Sequence, residues 1–267
     1  MKIIRNALKE WLIPPGIIKL MRSFKNQSTY KFEENSSLKE MFIGETCYII
    51  SCGPSLNNFD LSKIYGKKCI SVSNSFVHPH FEIINPVFHV FAERHNPITI
   101  DQYNAWFSDC KAKSNASTKI LVSANDFTLA KKIFTENSVY RYQSGNGDYP
   151  IDFVRKIPRY NTVVHIALYL ADYLGFSTIY LLGVDHNQIL NFGCSNHFYK
   201  EEESELVKSG YDEWSYVDLQ YEFQSYATMW GIYRRIKENS RAKIYNLNLD
   251  SLLNIFEKKV LNDFSDY

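Results

Sequence analysis

The chain has 267 residues, enough for one large α/β domain or two small ones. With 45% hydrophobic and 22% charged residues it reads as an ordinary globular protein, and no apolar run reaches membrane-spanning length. A net charge of +1 gives no reason to expect a nucleic-acid partner, and five cysteines without a C-x-x-C pair argue for free thiols and against zinc.

The first 25 residues stand apart. Lys2, Arg5, Lys9, Lys19, Arg22 and Lys25 face a single Glu10, and Trp11, Leu12, Ile17 and Ile18 lie between them. Pro14-Pro15-Gly16 splits the stretch into two amphipathic pieces, of the kind that lie on an anionic membrane face or dock on the domain's own surface. No secretory signal is recognisable. The expected location is the cytoplasm, with peripheral contact to the inner face of the cytoplasmic membrane. Residues 26–44 are polar and read as a linker. The expected division is therefore an appendage over 1–44 and a folded domain over 45–260.

The domain opens with a short apolar strand at 46–51, running into Gly53-Pro54-Ser55. Gly53 permits a positive φ or a close approach, and Pro54 suits the first turn of a helix. A helix start at a strand end is an anion site, because unpaired N–H groups and the helix dipole point at it. The plain alternative is an ordinary strand-to-helix turn. A second strand at 68–73 ends in Asn74-Ser75, and a third at 87–91 empties into Glu93-Arg94-His95-Asn96. A helix over 98–110 precedes a fourth strand at 119–122, which Ser123 and Asn125 follow. Residues 139–142 suggest a further short strand, and 144–148 a turn.

Asn161 or Thr162 caps the next helix and Gly175 ends it. Val163, Ile166, Ala167, Leu170 and Leu174 form its buried stripe, and His165, Tyr169 and Asp172 are expected on a solvated face. A strand at 178–182 leads to Gly183-Val184-Asp185-His186. A long insert over 187–214 carries Asn196-His197-Phe198-Tyr199 and an acidic run at 201–203, and reads as a lid or binding loop, or else as a disordered segment. A helix over 216–239, a strand at 243–247 and a helical turn at 251–257 complete the chain.

The fold class expected from this alternation is α/β: a Rossmann-like, mostly parallel sheet with flanking helices in a single domain. Ligands of such sheets bind at the carboxyl ends of the strands, where these polar groups fall. Gly53, Pro54 and Ser55 are the candidate phosphate end. Asn74 and Ser75 are candidates for a ribose or base. Arg94, with Lys156 and Arg159 opposite, is a candidate to neutralise a phosphate or carboxylate. Asp185, His186 and His197 are the candidate catalytic groups, His being the natural base near neutral pH. Their spacing does not make a metal pattern, and no metal is assigned.

The blocks Ser51-Cys52-Gly53-Pro54-Ser55-Leu56, Ser73-Asn74-Ser75, Asn161-Thr162 and Gly183-Val184-Asp185-His186 resemble the glycosyltransferase family 42 sialyltransferases. They resemble still more the related MptE-like group, which takes in hydroxymethylpterin pyrophosphokinases and proteins of bacterial surface-polysaccharide clusters. The resemblance covers residues 45–256. It implies a transferase that moves a sugar, of the sialic-acid type among others, from a nucleotide-sugar donor such as a CMP-linked one to a glycan acceptor. With it, Gly53, Pro54, Ser55, Asn74, Ser75, Asn161 and Thr162 are the expected donor-binding residues, and Glu93 and Arg94 join them from their place at the end of the third strand. The pyrophosphokinase alternative implies ATP and Mg2+, held by Asp185 and Glu93. A non-catalytic adaptor of polysaccharide assembly is the third reading. In two places the chain departs from the sialyltransferases: Cys52 stands where they have Asn, and their late catalytic His has no counterpart after His197.

Overall fold

A computed structural model describes residues 31–95, 98–190, 197–200 and 216–260. The N-terminal amphipathic pieces, Asn96, Asn196 and the acidic run at 201–203 lie outside the described residues. Among the described residues there are ten strands: β1 (Thr46–Ile50), β2 (Cys69–Val72), β3 (Phe88–Val90), β4 (Lys119–Ser123), β5 (Val139–Tyr142), β6 (Ser144–Gly145), β7 (Ile157–Pro158), β8 (Thr178–Leu182), β9 (Lys243–Asn246) and β10 (Glu257–Lys258). The helices are α1 (Phe81–Ile84), α2 (Ile100–Lys113), α3 (Phe127–Ile133), α4 (Val163–Tyr173) and α5 (Tyr216–Asn239). Among the described residues no helix is long and apolar enough to cross a membrane.

Eight strands form one sheet in the order β10-β9-β8-β1-β2-β3-β4-β5, with every neighbouring pair parallel. The short pair β6 and β7 stands apart. The chain builds outward from β1 to β5, then returns to β8 on the other side of β1. The order therefore reverses between β1 and β8. The expected α/β sheet with flanking helices is what the chain forms.

Both sheet faces are covered, which is why the strands read as apolar runs rather than alternating ones. On one face Cys47, Ile49, Ile70, Val72, Ile179 and Leu181 pack with α4 and α5. On the other, Tyr48, Ile50, Tyr180 and Leu182 pack with Leu56, Leu61 and Ile64. Under β3 and β4 the same side is filled by Phe91, Ile120, Val122, Tyr103, Trp106 and Phe107.

In three places the structure differs from the expectations. Residues 32–44 pack against the domain rather than link to it: Phe32 and Leu38 are buried, and Asn35 Nδ2 donates to the carbonyls of Arg141 and Phe153 at 2.7 and 2.8 Å. The supposed solvated face of α4 is buried, with His165 and Tyr169 at 0% and 2% exposure. α4 lies between the sheet and α5, so it has no wet side. Asp172 is accommodated there by Ser240 Oγ and the Arg241 N–H, which donate to Oδ1 at 2.8 and 3.2 Å. Residues 251–257 form no helical turn; the chain passes through bends at 252 and 255–256 into the edge strand β10.

Candidate functional site

The reversal between β1 and β8 opens a cleft of about 440 Å³ at the carboxyl ends of the strands. This is the position at which open parallel sheets hold their ligands. Its lining includes Gly53, Pro54, Ser55, Ser73, Thr162, Asp185, His186, His197, Tyr199 and Asn248. A second cavity of about 390 Å³ lies beside it, lined by Glu93, Arg94, His95, Tyr160 and Asn161. Thr162 and Val163, at the start of α4, line both.

The Gly-Pro-Ser turn is built differently from the expected cradle. Gly53 has φ −66°, an ordinary extended conformation, and residues Pro54–Asn58 form a 3-10 turn rather than an α-helix. Glycine is needed here for closeness: a Cβ would meet the Gly183 carbonyl at 2.5 Å and Asp185 Oδ2 at 2.6 Å. The opposing Gly183 takes the left-handed conformation, with φ +65°. The anion at the turn is the chain's own. Ser55 donates its N–H to Asp185 Oδ2 at 2.8 Å, and its hydroxyl to Oδ1. Asn248 Nδ2 donates to Oδ1 at 2.8 Å. With both oxygens engaged, Asp185 ties β1 to β8 and to the loop after β9.

His186 follows with φ +52° and points inward. Its Nε2 lies 2.8 Å from the Tyr233 hydroxyl, and its ring meets Trp230 edge-on. Burial pushes its pKa down to about 4, so the imidazole is neutral at pH 7. Tyr226 on α5 holds the same loop, donating to the His186 carbonyl at 2.9 Å. His197 lies on the opposite wall, stacked on Tyr199. Its segment is fastened by Phe198 N–H to the Cys52 carbonyl at 2.9 Å and by Asn57 Nδ2 to the Phe198 carbonyl at 3.0 Å.

Asn74 is buried beneath this wall. Trp106 Nε1 donates to its Oδ1, and its Nδ2 donates to the Tyr199 hydroxyl at 2.8 Å. Its amide therefore supports the cleft wall from behind. Ser75 is also buried, and neither residue lines the cleft. Cys52 does line it; its thiol donates to the Val72 carbonyl at 3.5 Å, and burial pushes its pKa up to about 12.

Glu93 and Arg94 belong to the second cavity, away from Asp185. Arg94 is turned toward Asp126, with its backbone N–H donating to Oδ2 at 3.3 Å and Nε 3.6 Å from Oδ1. Lys156 and Arg159 line neither cavity. Among the described residues there is no group of three or more His, Cys, Asp and Glu side chains that would hold a metal ion.

α4 begins where the two cavities meet. Thr162 Oγ1 accepts the Val164 N–H at 3.5 Å. His165 Nδ1 accepts the N–H groups of Asn161 and Thr162 at 3.1 and 3.4 Å, closing a capping box. An eleven-residue helix aimed at a cleft places the positive end of its dipole there. Sequence reasoning missed Asn248, Tyr160 and Asp126. Asn248 carried one signal, being a polar residue just past an apolar strand, as Asn74 is.

Fold and cleft together define a doubly wound α/β protein with a ligand cleft at its topological switch point. No family model matches the chain, and no curated protein sequence matches it. Among solved structures it is similar to the sialyltransferase CstII from Campylobacter jejuni in complex with a substrate analogue, cytidine-5'-monophosphate, at 16% identity and TM-score 0.51 over 84% of this chain and 88% of that one. A second structure of the sialyltransferase CST-II, with trisaccharide acceptor and CMP, matches at 16% identity and TM-score 0.51 over 84% of this chain and 89% of that one. At that identity the likeness is one of fold.

Proposed function

We propose that the chain is a glycosyltransferase that takes a sugar from a donor carrying a single phosphate, a CMP-linked sugar, and passes it to a glycan acceptor. The observation that carries this reading is the charge of the cleft. Among the described residues its lining contains Asp185 and Asp250 but no Lys or Arg. One phosphodiester charge is within the reach of a helix N-terminus with hydroxyl and imidazole donors. A diphosphate or triphosphate would meet two carboxylates without a basic side chain to offset them. The similarity to CMP-bound sialyltransferases points the same way.

In this reading the phosphate rests at the start of α4, on the Val163 N–H, since the amides of Thr162 and Val164 are held by the cap. The nucleoside lies along Gly53, Ser55 and Ser73, and His197 flanks the leaving phosphate. Transfer breaks the bond between the sugar and the phosphate oxygen, which departs with the electron pair. Donors aimed at that oxygen stabilise the charge as it develops. The acceptor hydroxyl forms the new bond and gives up its proton. Asp185 positions the two loops that frame the site. His186, neutral and held by Tyr233, supports the same loop.

The pyrophosphokinase alternative needs Asp185 and Glu93 on one ligand, and they line different cavities. The basic stretch over residues 1–25 remains the proposed contact with an anionic membrane face. Calorimetry with CMP, CDP, UDP and ATP with Mg2+ tests the central reading. CMP is expected to bind and ATP with Mg2+ is not; tight ATP binding without CMP binding would overturn it.

A further inference from the structure

We propose that Glu93 is the general base that takes the proton from the acceptor hydroxyl, and that the cavity beside it receives the acceptor. The proposal rests on the nucleotide-sugar reading above. A donor phosphate on the first turn of α4 places the sugar carbon where the two cavities meet, since Thr162 and Val163 line both. The nucleotide occupies one side of that boundary. An attacking hydroxyl opposite the leaving phosphate approaches from the other, through the cavity that Glu93 lines.

The three groups best suited by type are disposed otherwise. Both oxygens of Asp185 are engaged, His186 is buried against Tyr233, and His197 stands on the nucleotide side. The Glu93 carboxylate is half-buried and oriented. Asn125 Nδ2 donates to Oε1, and the Tyr160 hydroxyl donates to Oε2 over a long 3.3 Å. The orientation is fixed while Oε2 keeps capacity to accept a proton. Arg94 turns to Asp126 and forms no ion pair with Glu93 among the described residues.

The other titratable groups around Glu93 are Tyr160, Tyr142, Tyr103, Asp126 and, at the exposed rim, His95. Burial pushes Tyr160 up to about 12, so its phenol remains a donor and does not compete as a base. The step balances: the acceptor O–H proton passes to Glu93, the acceptor oxygen bonds to the sugar carbon, and CMP leaves with the electron pair of the broken bond.

The test uses the full chain and its Glu93→Gln variant, with CMP binding measured by calorimetry. Turnover is read as CMP released from CMP-N-acetylneuraminate, with lactose as acceptor. Glu93→Gln is expected to keep its unfolding midpoint and CMP affinity within about twofold, while kcat falls about 100-fold or more. Equal kcat in the two proteins overturns the proposal, as does a loss of rate matched by a loss of CMP affinity. A wild type that binds CMP but releases none from that donor overturns the base assignment alone. A wild type that binds no CMP overturns the nucleotide reading beneath it.

Discussion

A carboxylate that accepts from a backbone N–H, a hydroxyl and an amide at once fastens the segments that carry those donors. Asp185 does this between the ends of β1 and β8 and the loop after β9. Asp185→Ala would remove three hydrogen bonds to a carboxylate from the half-buried donors of Ser55 and Asn248, at about 1–3 kcal/mol of stability. A lowered urea midpoint with an unchanged slope is the expected result, and an unchanged midpoint would refute this account. Gly53→Ala is expected to destabilise as well, because the added methyl meets the Gly183 backbone carbonyl at 2.5 Å, which cannot step aside cheaply. Both Gly53-Pro54-Ser55 and Asp185 stand out in the sequence as polar groups at strand ends. Their union does not, since it joins positions 130 residues apart through a pairing of β1 with β8 that no local pattern encodes. The turn therefore looks like an open anion site until its internal carboxylate is seen.

At the scale of elements, α4 does most to shape the cleft. Its cap joins stability to binding, because the Thr162 side chain holds the Val164 N–H and so fixes the turn that presents the Val163 amide proposed for the phosphate. Thr162→Ala is expected to cost about 1 kcal/mol of stability, as lost N-caps do, and to weaken CMP binding. Denaturant unfolding and CMP titration check the two parts. Full CMP affinity in a destabilised variant would remove α4 from the phosphate site. The ends of this helix were legible, with Thr162 at the cap and Gly175 beyond the last turn at φ +87°. Its burial was not. A stripe of apolar residues identifies the face on the sheet, but α5 covers the opposite face, and His165 and Tyr169 are polar residues enclosed by that second layer. His165 serves as a capping acceptor rather than a solvated charge.

For the whole molecule, the class of fold followed from alternating strands and helices, while the strand order that places the cleft between β1 and β8 had to come from the structure. That packing also encloses histidines on both sides of the sheet, with a consequence for stability against acid. Burial holds His89 down at about 3 and His186 at about 4, and lowers His165 well below its ordinary value. Above the ordinary histidine pKa of about 6.5, folded and unfolded chains both carry these rings neutral, and stability is complete. Below it the unfolded chain binds protons that the folded one refuses. Each such ring then removes up to about 1.4 kcal/mol per pH unit until its folded pKa is reached. Between pH 7 and pH 5, His89 and His186 together remove about 4 kcal/mol, a large share of a typical domain's 5–15 kcal/mol, and His165 acts in the same direction. Urea unfolding at pH 7, 6 and 5 is expected to show this loss. His89→Leu is expected to flatten the dependence on pH by one proton. A wild-type midpoint that stays constant from pH 7 to pH 5 would mean that these rings ionise in place, with water reaching the sheet's interior.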